Sequence, residues 1–520
     1  MSGRDVVVLI ALAGCASPPV EDPFPEVARL ASQRLGEAPV RHDDATAAEV
    51  EAHVARILGA PLTADACVRV ALLAHPRLQA EYARLGVSRA DVVQAGRIAN
   101  PIVSLSARFP DRAPRGPNLE FGVVQELFDL LARPDRRRLA EAELLVVQRQ
   151  VAATVVDHAA AVRHAYYDAV GARQILTMRG LVVEAAEASA ELARRMYEAG
   201  NLSDLQLTNE RVALEDARLA HAAVESDASV ARERLAGLLG VWRPEHLAWT
   251  LPATLPALPD DTRIPPDLEA LAMAQRLDLA AARAAIEKQA RALGLATDSA
   301  WPRVLEVGLD TERDTDGQYV TGPSLAFDVP LFDDGDARVA REQALLQESV
   351  LRHTALTVDI RADVRVLRDQ LAARRRLAEH ALTVVVPLHE ARVAYARQEH
   401  DFMLMGAFEL ILAKQAEYDA YQTAIAALRD YWIVRSDLEQ AVGGTLPAGP
   451  PPARAATVAP PSEFTCPMHT DVRSATQGSC PVCGMGLVPV TPAPPPVSAP
   501  EPTTAPAPAS EPHSHHDRDP

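Results

Sequence analysis

Two stretches of this chain each run for about sixty residues without a strong turn signal, at matching places in a duplicated order of motifs. The first extends from Arg133 to about Tyr197 and carries an isolated Gly171 and Gly180. The second extends from about Asp336 to Arg397 and contains Pro387. As helices they would each span roughly 100 Å at the usual rise per residue. Helices of that length belong to coiled-coil-like packing rather than to an ordinary globule.

The flanking motifs repeat at an offset of about 200 residues. A helix signal starts at Leu62-Thr63-Ala64-Asp65, with Thr63 suited to N-cap it, and continues through Ala71–Ala80 to Asn100-Pro101. Its counterpart runs through Ala272–Ala281 to Trp301-Pro302. Period-two alternation follows each proline. Val103, Leu105, Ala107 and Phe109 oppose Ser104, Ser106 and Arg108, while Leu305, Val307 and Leu309 oppose Glu306, Gly308 and Asp310, which predicts strands. Turn-rich loops lead to second strands through Leu119, Phe121 and Val123, and through Leu325, Phe327 and Val329. Each hairpin closes on Leu-Phe-Asp, at 127–129 and 331–333. The long helices break at Tyr197–Asn201 and Tyr395–Asp401, and return helices lead to Gly240 and Gly443. The expected layout is an extension at 16–60, a first repeat at 62–242, a Pro-rich linker at 243–266 and a second repeat at 267–444.

Four strands of about ten residues, apolar on one face and polar on the other, have the length and pattern of membrane-barrel strands. Four cannot close a barrel, and lipid does not tolerate open edges. Chains must therefore associate, and three would supply about twelve strands. Phe109, Phe121, Trp301, Tyr319 and Phe327 are candidates for interfacial aromatics, with ordinary core packing as the alternative. No apolar run reaches the roughly 18 residues of a spanning helix. The chain has 70 acidic and 52 basic residues, net −18, which argues against nucleic acid as a partner.

At the start, Arg4, the apolar run Val6–Ala13 and Leu12-Ala13-Gly14-Cys15 read as an export signal. The last four resemble the lipobox of bacterial lipoproteins, which implies a signal over 1–15 and acylation of Cys15. Ala16 after the cysteine implies sorting to the outer membrane. Cys67 shares an apolar helical face with Val70 and Ala71 and reads as a buried, inert thiol.

The doubled order of helix, hairpin, Leu-Phe-Asp, long helix, turn and return helix resembles the TolC family of outer-membrane efflux proteins over about 62–444. The resemblance implies a mainly α chain with a β-barrel part: a twelve-stranded barrel closed by a homotrimer in the outer membrane, continued by an α-helical tunnel. It also implies a non-enzymatic duct that docks on a periplasmic adaptor (membrane fusion) protein and an inner-membrane RND-type pump. In that family the two helix–turn–helix tips form the periplasmic entrance. Here they are Tyr197–Leu207 and Tyr395–Met405, and Asp204 and Asp401 are read as corresponding members of an acidic gate ring. Helix N-capping after a turn is the alternative role for both. His400, Met403 and Met405 could offer soft ligands there.

Near the C-terminus stand Cys466-Pro467-Met468-His469 and Cys480-Pro481-Val482-Cys483-Gly484-Met485. With their flanks (463–490) they resemble the small heavy-metal-binding domain attached to copper and zinc transport proteins. Cys466, His469, Cys480 and Cys483 can complete a tetrahedral site. Met468 and Met485 shift the balance towards Cu(I) or Ag(I) without excluding Zn(II). A structural zinc knuckle and a Cys480–Cys483 disulfide are the alternatives. Pro/Ala-rich segments at 445–462 and 491–520 flank the module, and His513, His515 and His516 end the tail. The leading expectation is an outer-membrane duct exporting heavy-metal cations. A general solute duct and a non-channel periplasmic metal scavenger are the other readings. A metalloenzyme is disfavoured, because four ligands close the coordination shell and no general base lies nearby in sequence.

Overall fold

In the computed structural model the described residues are 20–42, 47–109, 111, 116–243, 246, 248–259, 265–298, 304–446, 464–465, 473–474 and 488–489. They fall in two units, one ending at Pro447 and one beginning at Ala448. The first unit holds the duplicated body.

Its first repeat opens with α3 (Ala64–Ala74), preceded by α1 (Phe24–Leu35) and α2 (Ala47–Leu58). Thr63 caps α3 as expected, its hydroxyl accepting the Ala66 N–H at 3.2 Å. The helix does not continue to Asn100-Pro101. It stops at His75 (ψ 117) and restarts as α4 (Pro76–Ala95), because the residue before a proline is driven out of the helical region and Pro suits a first helical position. The second repeat breaks at Arg276 (ψ 123), between α7 (Leu268–Gln275) and α8 (Leu277–Asp298).

The four strands are β1 (Ile102–Arg108), β2 (Asn118–Glu126), β3 (Leu305–Arg313) and β4 (Tyr319–Phe327). They form one antiparallel sheet in that order, so β2 and β3 join the two repeats. Between the strands of the second hairpin and its long helix, Leu331-Phe332-Asp333 is non-helical, and helix α9 starts at Asp336 after Gly335 (φ 89). In the first repeat the same phrase, Leu127-Phe128-Asp129, is already helical: α5 runs Leu127–Glu198, 72 residues, through Pro134. The left-handed Gly335 stands in the second copy only, and a residue held at positive φ cannot lie inside an α-helix.

The second long helix is interrupted. α9 (Asp336–His380) passes into a π-helical turn at Ala381–Val385, and α10 (Val386–Asp401) follows. Pro387 cannot donate within a helix and its ring crowds the preceding turn, and a π-bulge is the local adjustment that tolerates it. The return helices are α6 (Asp204–Leu239) and α11 (Ala407–Ala441).

Each repeat has a core of its own: in the second, Leu279, Ile360, Val364, Tyr431 and Leu438 pack together, and the first is built around α5. Val151, Val155, Val162 and Val170 of α5 pack with Leu235 and Leu239 of α6 and with Val27, Cys67 and Leu72. Fully burying a side chain of this kind contributes about 1.5–3 kcal/mol. A polar ladder joins antiparallel α5 and α11: Gln440 donates to Asp157 at 2.8 Å, Asp437 faces His164 at 3.6 Å, Arg429 faces Asp168 at 3.6 Å and Arg179 faces Asp419 at 3.4 Å. Within the Pro-rich 243–266 segment, the described residues 248–259 form a packed strap. Trp249, Leu251 and Leu255 are buried, Arg232 stacks 3.9 Å from the Trp249 ring, and Trp432 donates to the Pro256 carbonyl.

In the second unit, β5 (Phe464–Thr465) pairs with both β6 (Arg473–Ser474) and β7 (Val488–Pro489) in a small antiparallel sheet.

Candidate conduit and metal module

The register of the four-stranded sheet sorts its side chains into two chemistries. Leu105, Phe121 and Thr311 are aligned across β1, β2 and β3, as are Val103, Val123 and Leu309. The opposite face aligns Ser104, Gly122 and Asp310, and Ser106, Glu120 and Glu312. Ser104 and Asp310 lean over Gly122, where a Cβ would come within 2.7 Å and 2.8 Å of their oxygens. The apolar face is uncovered within the chain: Leu105 is 78% exposed and Phe327 54%. Phe109, Phe121 and Tyr319 are exposed as well, so none of these aromatics packs in a core. Trp301 lies outside the described residues. Strands β1 and β4 are the edges of this sheet. One apolar face, one polar face and two open edges are the pattern of strands in membrane barrels.

Two helical hairpins extend from the sheet. Their tips use one backbone device. In the first, Gly200 N–H bonds the Tyr197 carbonyl (2.9 Å) and Asn201 N–H the Met196 carbonyl (2.8 Å). In the second, Met403 N–H bonds His400 (2.8 Å) and Leu404 N–H bonds Glu399 (2.8 Å). This pairing corrects the expected equivalence of Asp204 and Asp401. Asp204 is the first residue of α6, after the Ser203–Gln206 capping box, and Asp401 is the last residue of α10. With Gly200 matched to Met403, Asp204 corresponds to Ala407 and Asp401 to Glu198. The second outgoing helix holds on to Asp401, so its turn begins later than the expected Tyr395. Neither aspartate is an N-cap, since Ser203 and Gly406 hold those positions.

Two histidines, absent from the sequence expectations, close the far end of α6. His158 Nε2 lies 2.9 Å from the Leu238 carbonyl, and the His75 ring faces the Gly237 carbonyl. The rings are 4.3 Å apart. Burial lowers both imidazoles, His158 to about 4 with further opposition from His75. Cys67 is buried and free, and burial pushes its thiol up to about 12, the inert state expected of it.

Cys15 and the ligand set Cys466, Met468, His469, Cys480, Cys483 and Met485 lie outside the described residues. In the chain, Cys466 directly follows β5, and Cys480 and Cys483 stand between β6 and β7. Among the described residues no group of three or more His, Cys, Asp or Glu could hold a metal ion.

A family model described as outer membrane efflux protein matches residues 67–241. Over 343 residues the chain is 31% identical to Protein CyaE of Bordetella pertussis, covering 58% of this chain and 69% of that protein. The chain belongs to the outer membrane efflux protein family. Its fold is that of the outer membrane protein VceC of Vibrio cholerae (TM-score 0.58, 17% identity, 74% of this chain and 96% of that one), the outer membrane channel CmeC of Campylobacter jejuni (0.60, 14%, 76% and 85%) and CusC (0.57, 15%, 73% and 92%). This outer membrane efflux protein therefore has the TolC-like fold, in a family of efflux proteins rather than of enzymes. A second model, heavy metal binding domain, matches residues 464–490. The efflux protein thus carries a metal-binding module, and β5 and β7 bracket it.

The sequence reading missed the two helix breaks, the π-bulge, the packed strap and the histidine pair. Pro76 and Pro387 were the available signals for the first break and the bulge, since a proline ends or distorts a helix near its own position. Nothing local marks His75 and His158, which are 83 residues apart and meet only when the opening helices pack on α5.

Proposed function

We propose that this chain is the outer-membrane duct of a tripartite efflux system whose cargo is a heavy-metal cation of the Cu/Ag or Zn type. The observation that carries the reading is the union in one chain of an efflux-family body and a heavy-metal-binding domain at 464–490. Its donor set fits such an ion. Cys466, Cys480 and Cys483 as thiolates with His469 make a tetrahedral complement, and Met468 and Met485 add thioethers that favour Cu(I) or Ag(I) over Zn(II). The module, tethered through 445–462, collects metal in the periplasm, and an energised inner-membrane RND-type pump with its periplasmic adaptor drives the ion through the duct. The chain itself contributes a sealed path and performs no bond chemistry.

The path is closed by a homotrimer, with twelve strands in outer-membrane lipid and Cys15 acylated as an additional anchor. Exposed apolar residues spaced by seven support helix pairing between copies: Leu205, Val212 and Leu219 on α6, and Leu388, Tyr395 and Phe402 along and just after α10. The tips carry carboxylates, Asp204 on the first and Asp401 on the second, which favour cations at the periplasmic mouth.

Deleting residues 462–490 and measuring copper, silver and zinc tolerance of the host tests the cargo. Tolerance to at least one metal is expected to fall. Unchanged tolerance to all three contradicts metal export as the role of the module.

A further inference from the structure

The second tip carries a residue that neither backbone preference nor packing selects. Four helix ends of the body close with the same pair of bonds, at Gly200, Gly240, Met403 and Gly443. The left-handed residue is glycine at three of them. At the fourth it is Met403 (φ 60), the one non-glycine residue with positive φ among the described residues. A side chain is strained in that conformation, which is why glycine dominates there. Met403 recovers nothing by burial, being 94% exposed.

Two neighbours supply the chemistry. The Nδ1 of His400 lies 3.0 Å from the Met405 carbonyl. With Nδ1 donating to that oxygen, the ring is held in place and Nε2 keeps its lone pair, the second-shell arrangement usual for a metal-ligating histidine. Met405 is half-buried at the start of the return. One imidazole and two thioethers therefore fall within His400–Met405, with the backbone bonds of the turn fixing their order. A donor set of this softness suits Cu(I) and Ag(I) and poorly suits hard cations.

We infer that the second tip binds a soft monovalent metal ion, Ag(I) or Cu(I), through His400 Nε2, Met403 Sδ and Met405 Sδ. The duct then has a metal site of its own, separate in sequence from the C-terminal module. The identity of the ion rests on the metal-export reading. The strained methionine is retained for its sulfur. The exposed Phe402 and Leu404 beside it would serve equally as an apolar contact for a protein partner, so the test separates the two roles.

The test uses the full-length chain carrying Cys466→Ser, Cys480→Ser and Cys483→Ser, titrated with Ag(I) alone. Met403→Leu keeps the apolar bulk and removes the sulfur, and Met403→Gly removes both while relieving the strain. Each is expected to weaken Ag(I) binding at the tip about tenfold or more, with Met403→Gly melting no lower than its parent. His400→Gln is expected to weaken it as well. Ag(I) binding unchanged in both Met403 variants overturns the inference. The same holds if export falls in Met403→Gly but survives in Met403→Leu with metal binding unaltered, which assigns the tip to partner contact. Because binding is read on purified protein, this test can fail while deletion of 462–490 still abolishes metal tolerance, and the reverse.

Discussion

The backbone of Gly240 presses against that of His75: a Cβ at position 240 would stand 2.6 Å from the His75 Cα. The second repeat reproduces the contact, with Gly443 placed so that a Cβ would lie 3.0 Å from the Arg276 nitrogen. His75 and Arg276 are the helix breaks, and the two glycines (φ 74 and 83) end the return helices. Each return helix is therefore seated in the break of its own repeat's opening helices, and the duplication extends to a backbone contact.

Gly240→Ala combines a left-handed alanine with a backbone clash and is expected to destabilise the body by about 2–4 kcal/mol. Gly443→Ala should follow it closely. Gly200→Ala, at φ 78 with no atom within 4 Å of the added Cβ, should cost only about 1 kcal/mol. Denaturant unfolding of the purified protein in detergent distinguishes these, and equal effects at 200 and 240 would contradict the seating.

The histidines give opposite pH dependences. His158 is held near 4, below its ordinary 6.5, by burial and by His75, with Arg77 adding to the opposition. Its contribution to stability is full above about pH 6.5 and is lost as pH falls from there towards 4. His164 is raised by its bond to Asp437, helped by Asp168 and opposed by burial and Arg429. That contribution is full below about pH 6.5 and is lost as pH rises through the raised value. In melting curves against pH, His158→Gln should flatten the acid side and His164→Gln the neutral side. An unchanged acid limb in His158→Gln would remove the pair as its cause.

Arg163 is nearly buried, with Asp65 at 3.5 Å and Glu439 at 3.9 Å. Burial holds the Glu439 carboxyl above its usual range despite Arg163 and Arg435. Arg163→Met leaves that carboxyl with Arg435, 3.5 Å away, and should cost about 1–3 kcal/mol. Adding Glu439→Gln should restore part of the loss. A double variant no more stable than Arg163→Met would show that the pair is not coupled.

The acidic tips predict ion preference. Asp204→Asn and Asp401→Asn together are expected to lower the cation-over-anion permeability ratio in asymmetric salt, with conductance retained. An unchanged reversal potential removes both residues from the selectivity of the mouth.

Much of the body was legible because its signals are local and repeated. Strand alternation around Leu105 and Leu309 placed all four strands, and Thr63 gave the first helix its start. What was not legible depends on contacts between distant segments. Leu-Phe-Asp reads identically at 127–129 and 331–333, yet only the first is helical. The strap at 248–259 has linker composition, but Trp249 is buried and Arg173 donates to the Leu251 carbonyl at 2.7 Å. Asp401 looked equivalent to Asp204 because both follow a tyrosine-containing segment. The positive φ shared by Gly200 and Met403 shifts that equivalence to Glu198.

The central claim is that these helices and strands form a conduit. Its most direct measurement is single-channel recording of the purified full-length protein in a planar lipid bilayer. The account predicts discrete, reproducible conductance steps from the assembled chain. Insertion into the bilayer with no conductance at any voltage or pH would contradict it.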